Sequence, residues 1–143
     1  MTNPNDYNRQ VIDEFRANAG KVGGMWEHTP LLLLTTIGAR SAERRTTPMA
    51  YMPDGDRLIV FASAGGAPTH PGWYHNLLAH PEVVVEVRSE TFDAIAAVAE
   101  DSERNRLWIN GVELYPSLAD HQAKTHRQTP VIVLSRLASI GLP

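Results

Sequence analysis

"RRTTPMAYMPDGDRLIVFASAGG" runs from Arg44 to Gly66. Extended, β-rich residues fill Thr46 to Met52, "PDGD" supplies a turn, and Arg57 to Ser63 repeats the extended pattern. The stretch therefore reads as one β-hairpin. Thr47 precedes Pro48, which biases it to an extended backbone and puts the proline near a strand start. A doubled arginine enters the hairpin and a Gly-Gly loop leaves it. Guanidiniums bind phosphate or carboxylate bidentately, and successive loop amides form an anion-binding nest. Taken alone, "GARSAERRTTP" reads first as a solvated basic loop. With the small-residue loop at the other end of the same hairpin, the two ends suit an anionic, ring-bearing ligand. Its charged tail would lie on the arginines and its flat ring over the small residues.

The rest of the chain reads outward from this hairpin. Tyr7, Val11, Ile12 and Phe15 recur at helical spacing, with Asn5 or Asp6 as N-cap, and predict an amphipathic helix over about 5–18. A strand follows from about Pro30 to Thr36, carrying the run Leu31 to Leu34. Downstream, "GGAPTHPG" is a loop, and Pro71 suits the first turn of a helix over Gly72 to Ala79. In "EVVVEVR" the residues Val83, Val85 and Val87 share one face, as in a half-exposed strand, with Thr91 to Ala99 as hairpin partner across "RSE". Asp101 or Ser102 would cap a helix holding Leu107, Trp108 and Val112, and Pro116 opens another to about Lys124. "PVIVLSR" is the last strand. Six short, mainly antiparallel strands with three or four helices make an α+β chain built as a small, partly open barrel. Residues 1–143 read as one domain.

Composition narrows the chemistry. A net charge of −3 and an isoelectric point near 6.0 argue against a nucleic-acid binder. No stretch approaches the ~18 apolar residues of a membrane span. "MTNPNDYNRQ" lacks a basic-then-apolar signal, so the expected location is cytoplasmic, with peripheral contact at the inner membrane face through the first helix as a second reading. The absence of cysteine removes thiol nucleophiles, thiolate metal sites and disulfides. His121 and His126 are five apart and fall on different helix faces, so no metal site is expected. Ser63 lacks the "GxSxG" context of a hydrolase.

"TTIGARSAERRTTPMAY" followed by "VFASAGGAPTHPGWYHNLLAHPEVVVEV" resembles the deazaflavin-dependent nitroreductase family. Its members carry T-x-G-[RK]-x-S-G-x-x-R-T-T-P, then S-K-G-G and P-x-W-Y-x-N-L before a valine-rich strand. The likeness is ungapped from about Leu33 to Val87 and looser through "LYPSLADHQAKTHRQTPVIVL". It implies a split β-barrel of the FMN-binding type and coenzyme F-420, an 8-hydroxy-5-deazaflavin with a phosphate and a polyglutamate tail. By the same resemblance Arg40, Ser41 and Arg45 hold the tail beside Thr46, Thr47 and Pro48. Ser63, Ala64, Gly65, Gly66, Trp73 and Asn76 line the rest of the cleft, and Tyr115 or Ser63 orients the acceptor.

Departures from the pattern modify these expectations. Ala39 stands for a basic residue, Ala42 for a glycine and Ala64 for the lysine of S-K-G-G, with Arg44 placed to restore one charge. Leu118 and His121 stand where some nitroimidazole-reducing relatives have tyrosines. The implied acceptors are quinones, enones or nitroaromatics, with weak reduction of bulky nitroimidazoles, by a monomer or homodimer. A non-catalytic cofactor- or lipid-binding barrel is the alternative, and an FMN barrel a third reading disfavoured by the arginine–threonine segment.

Overall fold

The computed structural model describes residues 4–137, with backbone alone for Pro4 and Asn5. Seven strands form one antiparallel sheet: β1 (Leu31–Ile37), β2 (Arg44–Ala50), β3 (Met52–Asp54), β4 (Arg57–Phe61), β5 (Glu82–Val87), β6 (Glu90–Val98) and β7 (Val131–Arg136). Their order is β2-β1-β5-β6-β7-β4-β3. Helices α1 (Pro4–Ala17), α2 (Gly72–Ala79), α3 (Asp101–Leu114) and α4 (Ser117–Ala123) flank it. The two ends of the sheet order, β2 and β3, are separated in sequence by Tyr51 alone. The sheet thus curls until one edge strand runs into the other, which makes the architecture a split barrel.

That curl corrects the expected hairpin. The segment Thr46 to Met52 is two strands, not one, so the strand count is seven rather than six. β2 pairs with β1 (Thr35↔Thr46, Leu33↔Pro48), while β3 pairs with β4 (Met52↔Ile59). Of the hairpin expected over Arg44 to Gly66, only the short "PDGD" turn joining β3 and β4 survives. Pro48 lies inside β2 rather than near its start. An edge strand tolerates it because no second neighbour requires its missing N–H. Asn5 and Asp6 lie in the first turn of α1, not at its cap, and Glu100 occupies the N-cap of α3 with no side-chain cap bond.

The four consecutive leucines are buried because they serve two layers. Leu32 and Leu34 point into the barrel with Val83, Val85, Ile132 and Leu134. Leu31 and Leu33 point out and are covered by Val11 and Phe15 of α1. Two covered faces turn the usual alternation of a strand into a continuous apolar run. The α1 stripe therefore packs on the sheet, leaving Tyr7 partly exposed. No helix among the described residues is long and apolar enough to cross a membrane.

Asp54, at the end of β3, ties this hairpin to α3. Arg57 Nη2 donates to its carboxylate at 2.5 Å, and Arg106 donates twice, at 3.0 and 3.1 Å. The Arg106 and Arg57 hydrogen bonds hold the Asp54 carboxyl down at about 2, from an ordinary 3.8. A depressed carboxyl pKa means that the unfolded chain takes up the proton first. The contribution is present above pH 3.8 and fades as pH falls toward 2. Chemical unfolding of Asp54→Asn beside the wild type should show a stability gap at neutral pH that narrows through this window. A gap that persists unchanged at the acid end contradicts the assignment.

Candidate active site

Two recesses lie against α2, and the predicted site residues divide between them. The first, about 620 Å³, is lined by Gly38 to Ser41, Arg45, Gly72, His75 and Asn76. The second, about 500 Å³, is walled by Pro48, Met49, Phe61, Ser63, Ala64, Trp73, Tyr115, Leu118 and His121, with Met25 and Trp26 at its margin. Helix periodicity explains the split: Gly72, His75 and Asn76 share one face of α2, and Trp73 lies a third of a turn away.

The first recess is cationic and built on backbone. Gly38 accepts from Ala42 N–H at 3.0 Å and donates to Glu43 O at 2.7 Å, closing a tight loop. Ser41 Oγ accepts from Glu43 N–H at 3.2 Å, so this hydroxyl shapes the loop. Ala42 sits at φ +59°, the left-handed region that favours glycine. Asn76 fastens the loop to the sheet, donating to Thr36 Oγ1 at 3.1 Å and accepting from Ala39 N–H at 3.0 Å. Arg45 meets Glu43 at 3.5 Å in open solvent, and Arg40 makes no ion pair among the described residues. Both guanidiniums thus have donors to spare.

The strand period separates neighbours that the sequence presents as a cluster. Thr46 shares a 2.8 Å hydrogen bond with Thr35 on the outer face, while Thr47 pairs opposite Leu34 on the inner one. Neither threonine lines either recess. Arg44 likewise faces away from Arg45, into an outer hollow with Ile37, Glu82 and Asp93. It does not restore a charge to the arginine recess.

The second recess is flat-walled and mostly apolar. Ser63 and Ala64 line it; Gly65 and Gly66 follow in the same turn. A Cβ on Gly66 would lie 2.8 Å from His121 O, so this glycine lets α4 rest on the turn rather than opening space for a ring. Gly65 has open space around it. Tyr115, at the end of α3, donates its hydroxyl to Tyr51 O at 2.7 Å. Burial is the main reason its phenol is pushed up to about 12. Tyr115 therefore pins the bend where β2 becomes β3, and it keeps its proton at neutral pH. His121 Nδ1 is buried and has no hydrogen-bond partner among the described residues.

Sequence reasoning passed over four residues that shape the site. Met25 and Trp26 reach the margin from the "GGMW" turn, whose glycines signal only a loop. Phe61 enters the wall at the end of β4. Arg127 lies outside both recesses, yet donates to the carbonyls of Ala62, Ser63 and Ala67. No local pattern marks it.

Comparison with known proteins adds an independent line. Residues 7–136 match the family described as F420H(2)-dependent quinone reductase. A protein of that name from Mycobacterium tuberculosis (strain ATCC 25618 / H37Rv) is 38% identical over 129 residues, 85% of each chain. A solved structure of an "F420-H2 Dependent Reductase" superposes with a TM-score of 0.69 at 37% identity, covering 74% of this chain and 94% of that one. Another, described as a domain-swapped dimer, gives 0.71 at 33% identity over 93% of this chain and all of its own.

Proposed function

Since the chain belongs to the F420H(2)-dependent quinone reductase family, we propose that the recess walled by Trp73 and Ser63 is where its acceptor is reduced. The chain is an oxidoreductase that uses coenzyme F-420 on quinone-like acceptors. This removes the non-catalytic barrel and makes FMN unnecessary. The observation that carries the site is the pairing of a cationic recess and a flat apolar one across a single helix.

The residues fit the group on their own chemistry. Arg40 and Arg45 offer bidentate donors to a phosphate or carboxylate tail, with His75 beside them. Pro48, Ser63, Ala64 and Trp73 make a wall that a planar ring can approach. When bound, the reduced deazaflavin supplies a hydride. The protein's work is then to hold the acceptor near that ring, exclude water and manage the proton that reduction requires. Tyr115 serves as wall rather than as a donor to the acceptor, because its hydroxyl proton is already committed to Tyr51 O. His121 lines the same wall, its Nδ1 buried and without a hydrogen-bond partner among the described residues.

Wall shape sets the acceptor range. Each aromatic ring over a cleft adds flat, rigid stacking area. Leu118 and His121 supply less of it than tyrosines would, which favours a small quinone over a large bicyclic nitroimidazole. With reduced coenzyme F-420, menadione should be reduced measurably and the nitroimidazole weakly or not at all. Leu118→Tyr combined with His121→Tyr should raise kcat/KM for the nitroimidazole. A wild type that prefers the nitroimidazole overturns this reading of the wall.

A further inference from the structure

The turn after β4 is held in a conformation that its own residues do not favour. Ala64, Gly65 and Gly66 are consecutive positive-φ residues, at +49°, +64° and +89°. Alanine there is strained relative to a right-handed conformation, because its Cβ crowds the following carbonyl. Two backbone bonds close the turn: Gly66 N–H to Ser63 O at 2.9 Å, and Ala67 N–H to Ala64 O at 3.1 Å. Strain of this kind persists where surroundings over-determine it.

Arg127 supplies the restraint. Its Nη2 donates to Ser63 O at 2.7 Å, Nη1 to Ala62 O at 3.0 Å and Nε to Ala67 O at 2.9 Å. Those three carbonyls bracket the positive-φ residues. Nη1 also lies 2.9 Å from His70 Nδ1. A guanidinium only donates, so His70 accepts, and this bond requires Nδ1 to be unprotonated. Arg127 is itself anchored: Gln122 donates to Arg127 O at 2.7 Å, and accepts from Thr129 N–H at 2.8 Å. Within the described residues Arg127 has no carboxylate partner.

We propose that Arg127 is a positioning residue for the ring end of the cleft, and that His70 makes its grip sensitive to pH. A proton on His70 Nδ1 removes the fourth acceptor and places a second cation beside the guanidinium. The Tyr74 ring lies tilted against His70 at 4.6 Å, His75 meets it edge-on at 6.0 Å, and Lys124 flanks Gly66 on the α4 side. No acidic group among these would offset the added charge. Burial first, then the charges of Arg127 and His75, hold the His70 pKa below its ordinary 6.5. The unfolded chain therefore takes the proton first: the contribution is whole above 6.5 and is lost as pH falls below it through the lower folded pKa. The proposal rests on the family reading only for what the turn receives.

Two measurements on the whole protein test it, at about pH 8 and about pH 4.5, the lower value set well below ordinary imidazole titration because folded His70 takes its proton below 6.5. One is amide hydrogen exchange at Gly66 and Ala67 without ligand, corrected for intrinsic rates. The other is the dissociation constant of oxidised coenzyme F-420 from its fluorescence. His70→Gln keeps an acceptor at both pH values, and its ratio to the wild type cancels titration of the coenzyme. The wild type should lose protection and affinity at the lower pH relative to His70→Gln, by about fivefold or more. Arg127→Met should lose about tenfold at both, with Arg127→Lys recovering only part, since one ammonium cannot span three carbonyls. If Arg127→Met does not fold, the His70→Gln comparison decides. Superimposable pH profiles for wild type and His70→Gln overturn the proposal. A wild type that binds no coenzyme overturns the functional reading instead, and exchange alone then judges the latch.

Discussion

Phe15→Ala should lower the free energy of unfolding by about 3–5 kcal/mol, the cost of emptying a fully packed aromatic site. Phe15 is 1% exposed and sits among Val11, Leu31 and Leu33, with Ile12, Val22, Trp26 and Ala50 around them. It is the largest side chain by which α1 covers the outer face of β1. Other attachments are weaker. Arg16 forms a bidentate pair with Glu86 at 2.8 and 2.9 Å, but its side chain is half-exposed, and such pairs contribute at most about 1 kcal/mol. The effect should reach the proposed active site as well, because Trp26 belongs to the same cluster and to the cleft margin. Urea unfolding with an unchanged m-value reads the loss directly. A loss below about 1 kcal/mol would mean that the helix is docked by something other than this stripe.

Removing both Arg40 and Arg45 should weaken coenzyme binding by about a hundredfold, with little change in stability. Charge-assisted hydrogen bonds contribute roughly 1.5–3 kcal/mol. The lower figure, about tenfold per arginine, suits these positions because Arg45 is 62% exposed and water screens it. Affinity of the wild type should fall with added salt, and the double alanine variant should show a shallower salt dependence. Arg44→Ala is the internal control: it lies one residue from Arg45 yet faces the outer hollow, and should bind nearly as the wild type does. Salt-independent binding, equal in the double variant, would remove the tail from this recess. An Arg44→Ala defect as large as that of Arg45→Ala would contradict the strand register.

Much of this protein was legible in the chain. The valine alternation of β5, the leucine run of β1, the α1 stripe and the short helix before Pro81 are local patterns, set by side-chain period and by backbone preferences of Gly and Pro. The motif from Thr36 to Pro48 and the segment Ser63 to Asn76 marked the family and contribute residues to both recesses. What the chain did not show was partnership. Thr46 to Met52 looks like one strand because nothing local distinguishes a continuous β segment from one that changes neighbours at Tyr51. That bend exists because the sheet closes on itself, and Tyr115, 64 residues away, pins it by a hydrogen bond to Tyr51 O. The doubled arginine and doubled threonine looked like a single cluster, whereas pairing with β1 sends alternate members to opposite faces. Arg127 is the extreme case: its grip on a turn 60 residues upstream depends on three carbonyls and the His70 ring converging on one guanidinium. Period and turn chemistry are properties of neighbours in sequence; sheet closure, facing and convergence are properties of neighbours in space, which only the folded chain supplies.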